Sequence, residues 1–246
     1  MPYLAGEDSK RTRVEPVFRW LRTHGGPNWP GELIRLAGGI EPIEPGPLRR
    51  LALGPEATIP PSPERLAWMI RNAHRLAPWD GRAWREYRHR VLENPGREEA
   101  LATLARGESS IPKDLVLEGP THADCLIECE GCVISVEGKR NDWLGAGTKW
   151  DISRDQLARN AEAAWLWAGR CGAAEFRLLI CHEHELKHHE QALLDGYRTG
   201  SWSAGWPHLS QQTRNHLAAR IGTLRWNVIV HRWPAMAKEP ELSDVV

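Results

Sequence analysis

Two carboxylates and an ammonium stand close together in the stretch Leu117 to Arg140, LEGPTHADCLIECEGCVISVEGKR. It reads as two short apolar strands joined by the tight turn Glu130-Gly131, with Asp124 opening the first strand and Glu137-Gly138-Lys139 closing the second. A loop of even length pairs positions whose numbers sum to 261, which sets Asp124 opposite Glu137. Opposed side chains in an antiparallel pair lie about 4.5–5.5 Å apart at Cβ, where like charges destabilise the sheet, and a divalent cation would offset that repulsion. Alternation along the strand puts Glu137 and Lys139 on one face. Such a set could hold a metal ion and position a water.

The elements around this hairpin predict a mixed α/β sheet flanked by helices. Residues 1–61, rich in Pro and Gly, read as an irregular N-terminal arm with short helices around Val17–Thr23 and Glu32–Leu36. Ser62 caps a helix with Pro63 at its first position and Leu66, Met69, Ile70 and Ala73 on one face. A second helix is expected from a cap at Asp80 to about Glu93, and a third from Arg97 to Arg106. Lys113–Glu118 then reads as a strand before the hairpin. After a polar loop, Asn141 to Lys149, a helix capped by Asp151 or Ser153 carries the apolar stripe Leu157, Ala161, Ala164, Trp165 and Ala168. The apolar run Glu175–Cys181 suits a buried strand, which makes that helix a crossover. Ser210 starts another helix, Leu224–His231 reads as a last strand, and the tail from 234 to 246 reads as loose. The main domain is thus expected at 62–233, with a catalytic core at about 97–183.

Asp124, a spacer of twelve residues and then Glu137-Gly138-Lys139 across two consecutive strands resemble the signature of the PD-(D/E)XK nuclease superfamily, the restriction-endonuclease-like fold. Ala123 stands where the signature has Pro. What the resemblance implies is a divalent-metal-dependent nuclease: Asp124 and Glu137, with the Gly138 carbonyl, would bind Mg²⁺ or Mn²⁺, and Lys139 would orient or help deprotonate the attacking water. Glu118 is a further acidic candidate for the metal, with Glu98 or Glu99 as alternatives. On the crossover helix, Gln156, Arg159 and Asn160 resemble residues that position water or substrate phosphate, although Ser153-x-x-Gln156 also fits a capping box. Arg140, Lys149, Arg154 and Arg159 are the basic residues expected to flank the site and attract phosphate.

Other features bound the function. Lys+Arg and Asp+Glu both number 32 in 246 residues, so any nucleic-acid contact, with DNA the expected partner, must be local. No run approaches the roughly 18 apolar residues of a membrane span, and five cysteines do not form a secreted disulfide framework; a cytoplasmic protein with reduced thiols is the expectation. Cys125, Cys129 and Cys132 have near-ligand spacing but read as small core residues. Thirteen Trp against two Phe is an unusual balance, read mainly as packing. Two alternatives stay open: a non-catalytic nucleic-acid- or partner-binding module with the same fold, and a zinc-dependent hydrolase using the His-rich segment His182–His189.

Overall fold

The computed structural model of the chain describes residues 10–76, 81–140, 144, 147, 151–202 and 204–242, with only the backbone at 81–84. The expected cap at Asp80 and the basic candidate Lys149 lie outside the described residues. A one-turn π-helix, Lys10–Val14, leads into α1 (Glu15–His24) and α2 (Trp29–Leu36), followed by β1 (Leu48–Leu53) and β2 (Thr58–Ile59). Helices α3 (Pro63–Arg71), α4 (Gly81–Leu92) and α5 (Arg97–Ala105) come next, then β3 (Thr121–His122), β4 (Cys125–Cys129) and β5 (Cys132–Lys139). The remainder is α6 (Gln156–Arg170), β6 (Glu175–His182), α7 (His188–Arg198), α8 (Gln211–Ala218), β7 (Ile221–Arg225) and α9 (Trp226–Arg232).

Five strands form a mixed sheet in the order β1-β4-β5-β6-β7, and β2 pairs with β3 beside it. Strands β1, β4 and β5 are antiparallel neighbours, whereas β5, β6 and β7 run parallel, with α6 as the crossover from β5 to β6. The register of β4 on β5 follows the parity of the loop: Cys125 faces Val136 and Cys129 faces Cys132. Gly131 turns the chain at φ +77°, a conformation glycine adopts without steric cost.

The pleat sorts the sheet's side chains into two cores. Cys125, Ile127, Cys132, Ile134 and Val136 pack with α1, α2 and α9. On the opposite face, Leu126, Val133, Leu178 and Ile180 pack against Leu157, Ala161 and Ala164 of α6, the stripe the sequence predicts. A third cluster joins α3, α4 and α5. Ser62 caps α3 as expected, its side chain accepting from the Arg65 N–H at 3.1 Å. No helix among the described residues is long and apolar enough to cross a membrane.

Several expectations are corrected. Residues 10–59 are not an irregular arm: Val14, Val17, Phe18 and Leu21 are buried at the i, i+3, i+4, i+7 spacing of an amphipathic helix, and β1 is an edge strand hydrogen-bonded to β4. Lys113–Glu118 is not a strand; Lys113–Leu115 form a 3-10 turn, and Leu115 and Leu117 drop into the helical cluster instead of a sheet. The last strand comes earlier than Leu224–His231, because Trp226, Ile229 and Val230 bury a helical stripe against α1 and α2 that overrides their strand propensity. Part of the tail is packed too, with Met236 and Leu242 buried. Neither Asp151 nor Ser153 caps α6; Asp155 does, its Oδ1 accepting from the Ala158 N–H at 2.9 Å. The four described cysteines of the β-sheet, Cys125, Cys129, Cys132 and Cys181, are free thiols in one apolar core. Burial raises the thiol of each above its ordinary range.

Candidate active site

Asp124 sits one residue before β4, continuing the register that sets it against Glu137, and its backbone N–H donates to the Val136 carbonyl at 3.2 Å. Its side chain turns to the end of β5, where Oδ2 accepts the Gly138 N–H at 2.9 Å. Burial, and then the neighbouring Glu137 carboxylate, push Asp124 from 3.8 up to about 6, against the pull of the Gly138 N–H, Lys10 and Lys139. The two acids therefore share a partly dry site in which the second negative charge is unwelcome.

Glu137 lies on the α6 face of β5 and is held from three directions. Lys139 Nζ stands 2.9 Å from Oε1, Gln156 Nε2 donates to the same oxygen, and Asn160 Nδ2 donates to Oε2 at 2.8 Å. Lys139 also donates to Gln156 Oε1 at 3.0 Å, which closes a ring of Glu137, Lys139 and Gln156. The helix makes this possible: Gln156 and Asn160 are one turn apart on the stripe beside the apolar one. A neutral amide that donates to the carboxylate and accepts from the ammonium fixes both without adding charge.

Gly138, between the two, faces the other core, where a Cβ would run into Val14 Cγ2 and come within 3.3 Å of Trp226 Cζ2. The Trp226 indole N–H donates to the Lys139 carbonyl at 3.2 Å, and the Glu183 N–H donates to the same carbonyl at 3.1 Å. Arg13, buried to 1% exposure, grips Glu183 with two bonds of 2.8 and 3.0 Å. The segment Lys10–Val14 and Trp226 thus wall a site that sequence reasoning built without them. The spacing of Val14, Val17, Phe18 and Leu21 carried the signal for the first; the β-branched run after Trp226 disguised the second.

Four residues expected at or beside the site belong elsewhere. Both oxygens of Glu118 accept from Arg154, at 3.1 and 2.9 Å, in a buried network with Arg65, Asp151, Glu162 and His208, so Glu118 is committed to structure and not to the Asp124 and Glu137 pair. Burial alone would raise both acids, but Arg154 outweighs it, holding Glu118 below its ordinary value and, with His208, Glu162 at about 2. Arg154 is accordingly a buried structural cation and does not flank the site. Arg159 donates to the Gly119 and Pro120 carbonyls at 3.2 and 2.6 Å, pinning the lead-in to β3. Glu98 is exposed on α5 with Arg97 as its neighbour.

Arg140 is half-buried at the end of β5 and lines, with Lys139, His182, Glu183 and Lys187, a small cavity of about 110 Å³. A cleft of about 680 Å³ between α3, α5 and α6 lies away from the acids and is lined by groups such as Trp68, Leu104 and Leu166. In the His-rich segment, His182 Nδ1 meets the His184 carbonyl, while His184, His188 and His189 point to the surface. Among the described residues there is no group of three or more His, Cys, Asp or Glu able to hold a metal ion. A site of two carboxylates and a backbone carbonyl falls below that count.

Comparison of the chain with protein-family models, with curated proteins and with solved structures gave no match.

Proposed function

We propose that the protein is a divalent-metal-dependent nuclease hydrolysing phosphodiester bonds, with DNA the expected substrate, built on a restriction-endonuclease-like arrangement of its mixed sheet. One observation carries this reading: Asp124, Glu137 and Lys139 converge at the end of β5, and Gln156 and Asn160 of the crossover helix lock Glu137 in place.

The donor set suits Mg²⁺ or Mn²⁺. Hard cations take oxygen ligands, and a carboxylate has about four lone-pair sites, of which Glu137 uses three. Asp124 resists ionisation beside Glu137, and that unfavourable charge is the kind a cation relieves. Asp124, Glu137 and the Gly138 carbonyl would hold the ion, which would supply Lewis-acid stabilisation of charge on the phosphate.

The chain's own groups supply the rest. Lys139, held by both Glu137 and Gln156, is positioned to orient the attacking water and to balance charge that grows on the phosphate oxygens. Gln156 and Asn160 keep Glu137 from swinging away, acting as positioning residues. Arg140, at the mouth of the small cavity, is suited to phosphate contact. Arg159 and Glu118 support the loop and helix that carry these groups.

The test is a Mg²⁺ and Mn²⁺ titration with single- and double-stranded DNA and RNA, comparing wild type with Asp124→Ala and Lys139→Ala. Metal-dependent cleavage abolished by either change supports the reading. Equal cleavage by the variants sinks the site, and tight binding without cleavage by wild type points to a binding module instead.

A further inference from the structure

The cleft between α3, α5 and α6 has a volume of about 680 Å³, the size of a small-molecule site, and lies where the helical cluster meets the crossover helix, the kind of junction such sites favour. Helix α3 turns Glu64, Trp68 and Arg71 to it, at the spacing of one helical face, while Leu66, Met69 and Ile70 bury the other face. Leu104 of α5 and Leu166 of α6 supply apolar wall, and Arg170, in the last turn of α6, adds a second guanidinium. Arg71 and Arg170 are both exposed, and the guanidinium of neither is engaged by another described residue. Trp68 is half-buried. The fully buried Arg65 guanidinium lies over its ring at 4.9 Å, which covers the inner face and leaves the outer one to the cleft. His208 lines the cleft too. Its Nε2 donates to Glu162 Oε1 at 2.9 Å, whereas Nδ1 is buried without a partner on a side chain 3% exposed. Buried polar atoms are as a rule hydrogen-bonded, so an orphan on the wall of a ligand-sized cleft points to an occupant with polar groups of its own.

We infer that this cleft is a nucleotide-binding site, with the base stacked on Trp68, the phosphate held by Arg71 and Arg170, and the sugar or base edge meeting Glu64 and His208. Such a site needs no nuclease chemistry and stands apart from the acids. The three parts of a nucleotide match three kinds of wall. Any base has a flat face that stacks on an indole. A guanidinium fork meets phosphate oxygens with two parallel hydrogen bonds. Glu64, which only accepts when ionised, suits a sugar hydroxyl or an exocyclic amine. Two guanidiniums face this one carboxylate, so the balance of charge favours an anion, and a wholly apolar ligand would leave the charged groups unused. Helix α6 keeps the two sites apart: Gln156 and Arg170 stand at its opposite ends, about 21 Å along the axis at 1.5 Å per residue, too far for one mononucleotide to touch both. The occupant is thus a free nucleotide or one unit of a longer strand.

Isothermal titration calorimetry of the full chain in chelator tests this, with adenosine 5′-monophosphate, adenosine and inorganic phosphate as separate probes. Wild type should bind the monophosphate about tenfold or more tightly than either fragment. Arg71→Met and Arg170→Met should each weaken the monophosphate about tenfold and leave adenosine unchanged. Trp68→Leu should weaken the monophosphate and adenosine about tenfold and leave phosphate unchanged. Lys139→Met, at the other end of α6, should bind the monophosphate as wild type does. If Trp68→Leu fails to fold, the two exposed arginines still decide the matter. Wild type binding the monophosphate no better than phosphate, or both arginine variants binding it like wild type, would overturn the assignment. So would a loss in Lys139→Met as large as in the arginine variants, which would put the nucleotide at the acids. A labelled single-stranded DNA oligonucleotide separates the two sources: its displacement by the monophosphate makes the occupant a unit of a strand, and independent binding makes it a free nucleotide. None of these outcomes touches the nuclease reading, which stands or falls on the metal titration.

Discussion

Val14 leaves no room for any side chain at position 138: its Cγ2 occupies the place a Cβ on Gly138 would take. The glycine between the metal-binding candidate Glu137 and Lys139 is thus required by packing, whatever its carbonyl does.

Gly138→Ala should therefore destabilise the protein by about 1–3 kcal/mol, the usual cost of overpacking a tight core. Denaturant unfolding measures it, and the double variant Gly138→Ala with Val14→Ala should recover part of the loss. A neutral Gly138→Ala would mean that the turn Lys10–Val14 does not rest on β5.

Burial of Asp124, and then its neighbour Glu137, make stability fall as pH rises. Asp124 keeps its proton up to about 6 in the folded state against 3.8 ordinarily, so between these values the folded protein binds more protons than the unfolded chain. That contribution is fully present below pH 3.8 and lost as pH climbs through 6. Relative to wild type in chelator, Asp124→Asn should gain stability with pH, from nearly nothing below pH 4 to at most about 3 kcal/mol above pH 6. Unfolding curves at pH 4 and 7 decide it; a constant difference would show that the folded protein does not hold the Asp124 carboxyl above its ordinary range.

Lys139→Met should lower kcat by about 10²–10⁴ with Mn²⁺ still bound, as expected for loss of a group that acts on the water or the phosphate. Gln156→Ala and Asn160→Ala should cost less, about 10–100-fold, because each removes one support of Glu137. Single-turnover cleavage with parallel Mn²⁺ titration separates the two classes, and equal losses across all three would dissolve the distinction.

Glu118 provides the contrast. Glu118→Ala leaves part of the Arg154 charge unanswered in a buried site and should cost about 3 kcal/mol or more. Glu118→Gln, if folded, should bind Mn²⁺ like wild type, whereas Asp124→Asn should not. Loss of Mn²⁺ binding in Glu118→Gln with stability intact would return Glu118 to the metal site.

The hairpin was legible because an even loop leaves only one parity, and the parity decides which side chains face each other. The β5-α6-β6 unit was legible from an apolar run and a clean helical stripe. Harder were places where tertiary packing outvotes local preference. Leu115, Val116 and Leu117 look like a strand, but Leu115 and Leu117 feed the helical cluster of α3 and α5. The run Val228 to Val230 carries strand propensity, yet Trp226, Ile229 and Val230 share a helical face against α1. The short helices around Val17–Thr23 and Glu32–Leu36 are legible and correspond to α1 and α2, but Pro and Gly hid β1 and the packing of this segment into the core. The role of Glu118 depends on Arg154, 36 residues away, a pairing no local pattern announces. The proximity of Asp124, Glu137 and Lys139 is legible because they lie on or beside consecutive strands, while Val14 and Trp226 come from segments distant in the chain.

That distance has a kinetic meaning. Arg13 meets Glu183 across 170 positions, and Gly38 bridges to Thr223 across the far edge of the sheet. Contacts of such long range slow folding, since loop closure must precede the gain. During synthesis, the hairpin with its two acids can pair early, but the wall of Arg13, Val14 and Trp226 cannot close until β7 and α9 have emerged. Assembly of the site is consequently among the last events of folding, and incomplete chains should carry the acids without a finished site.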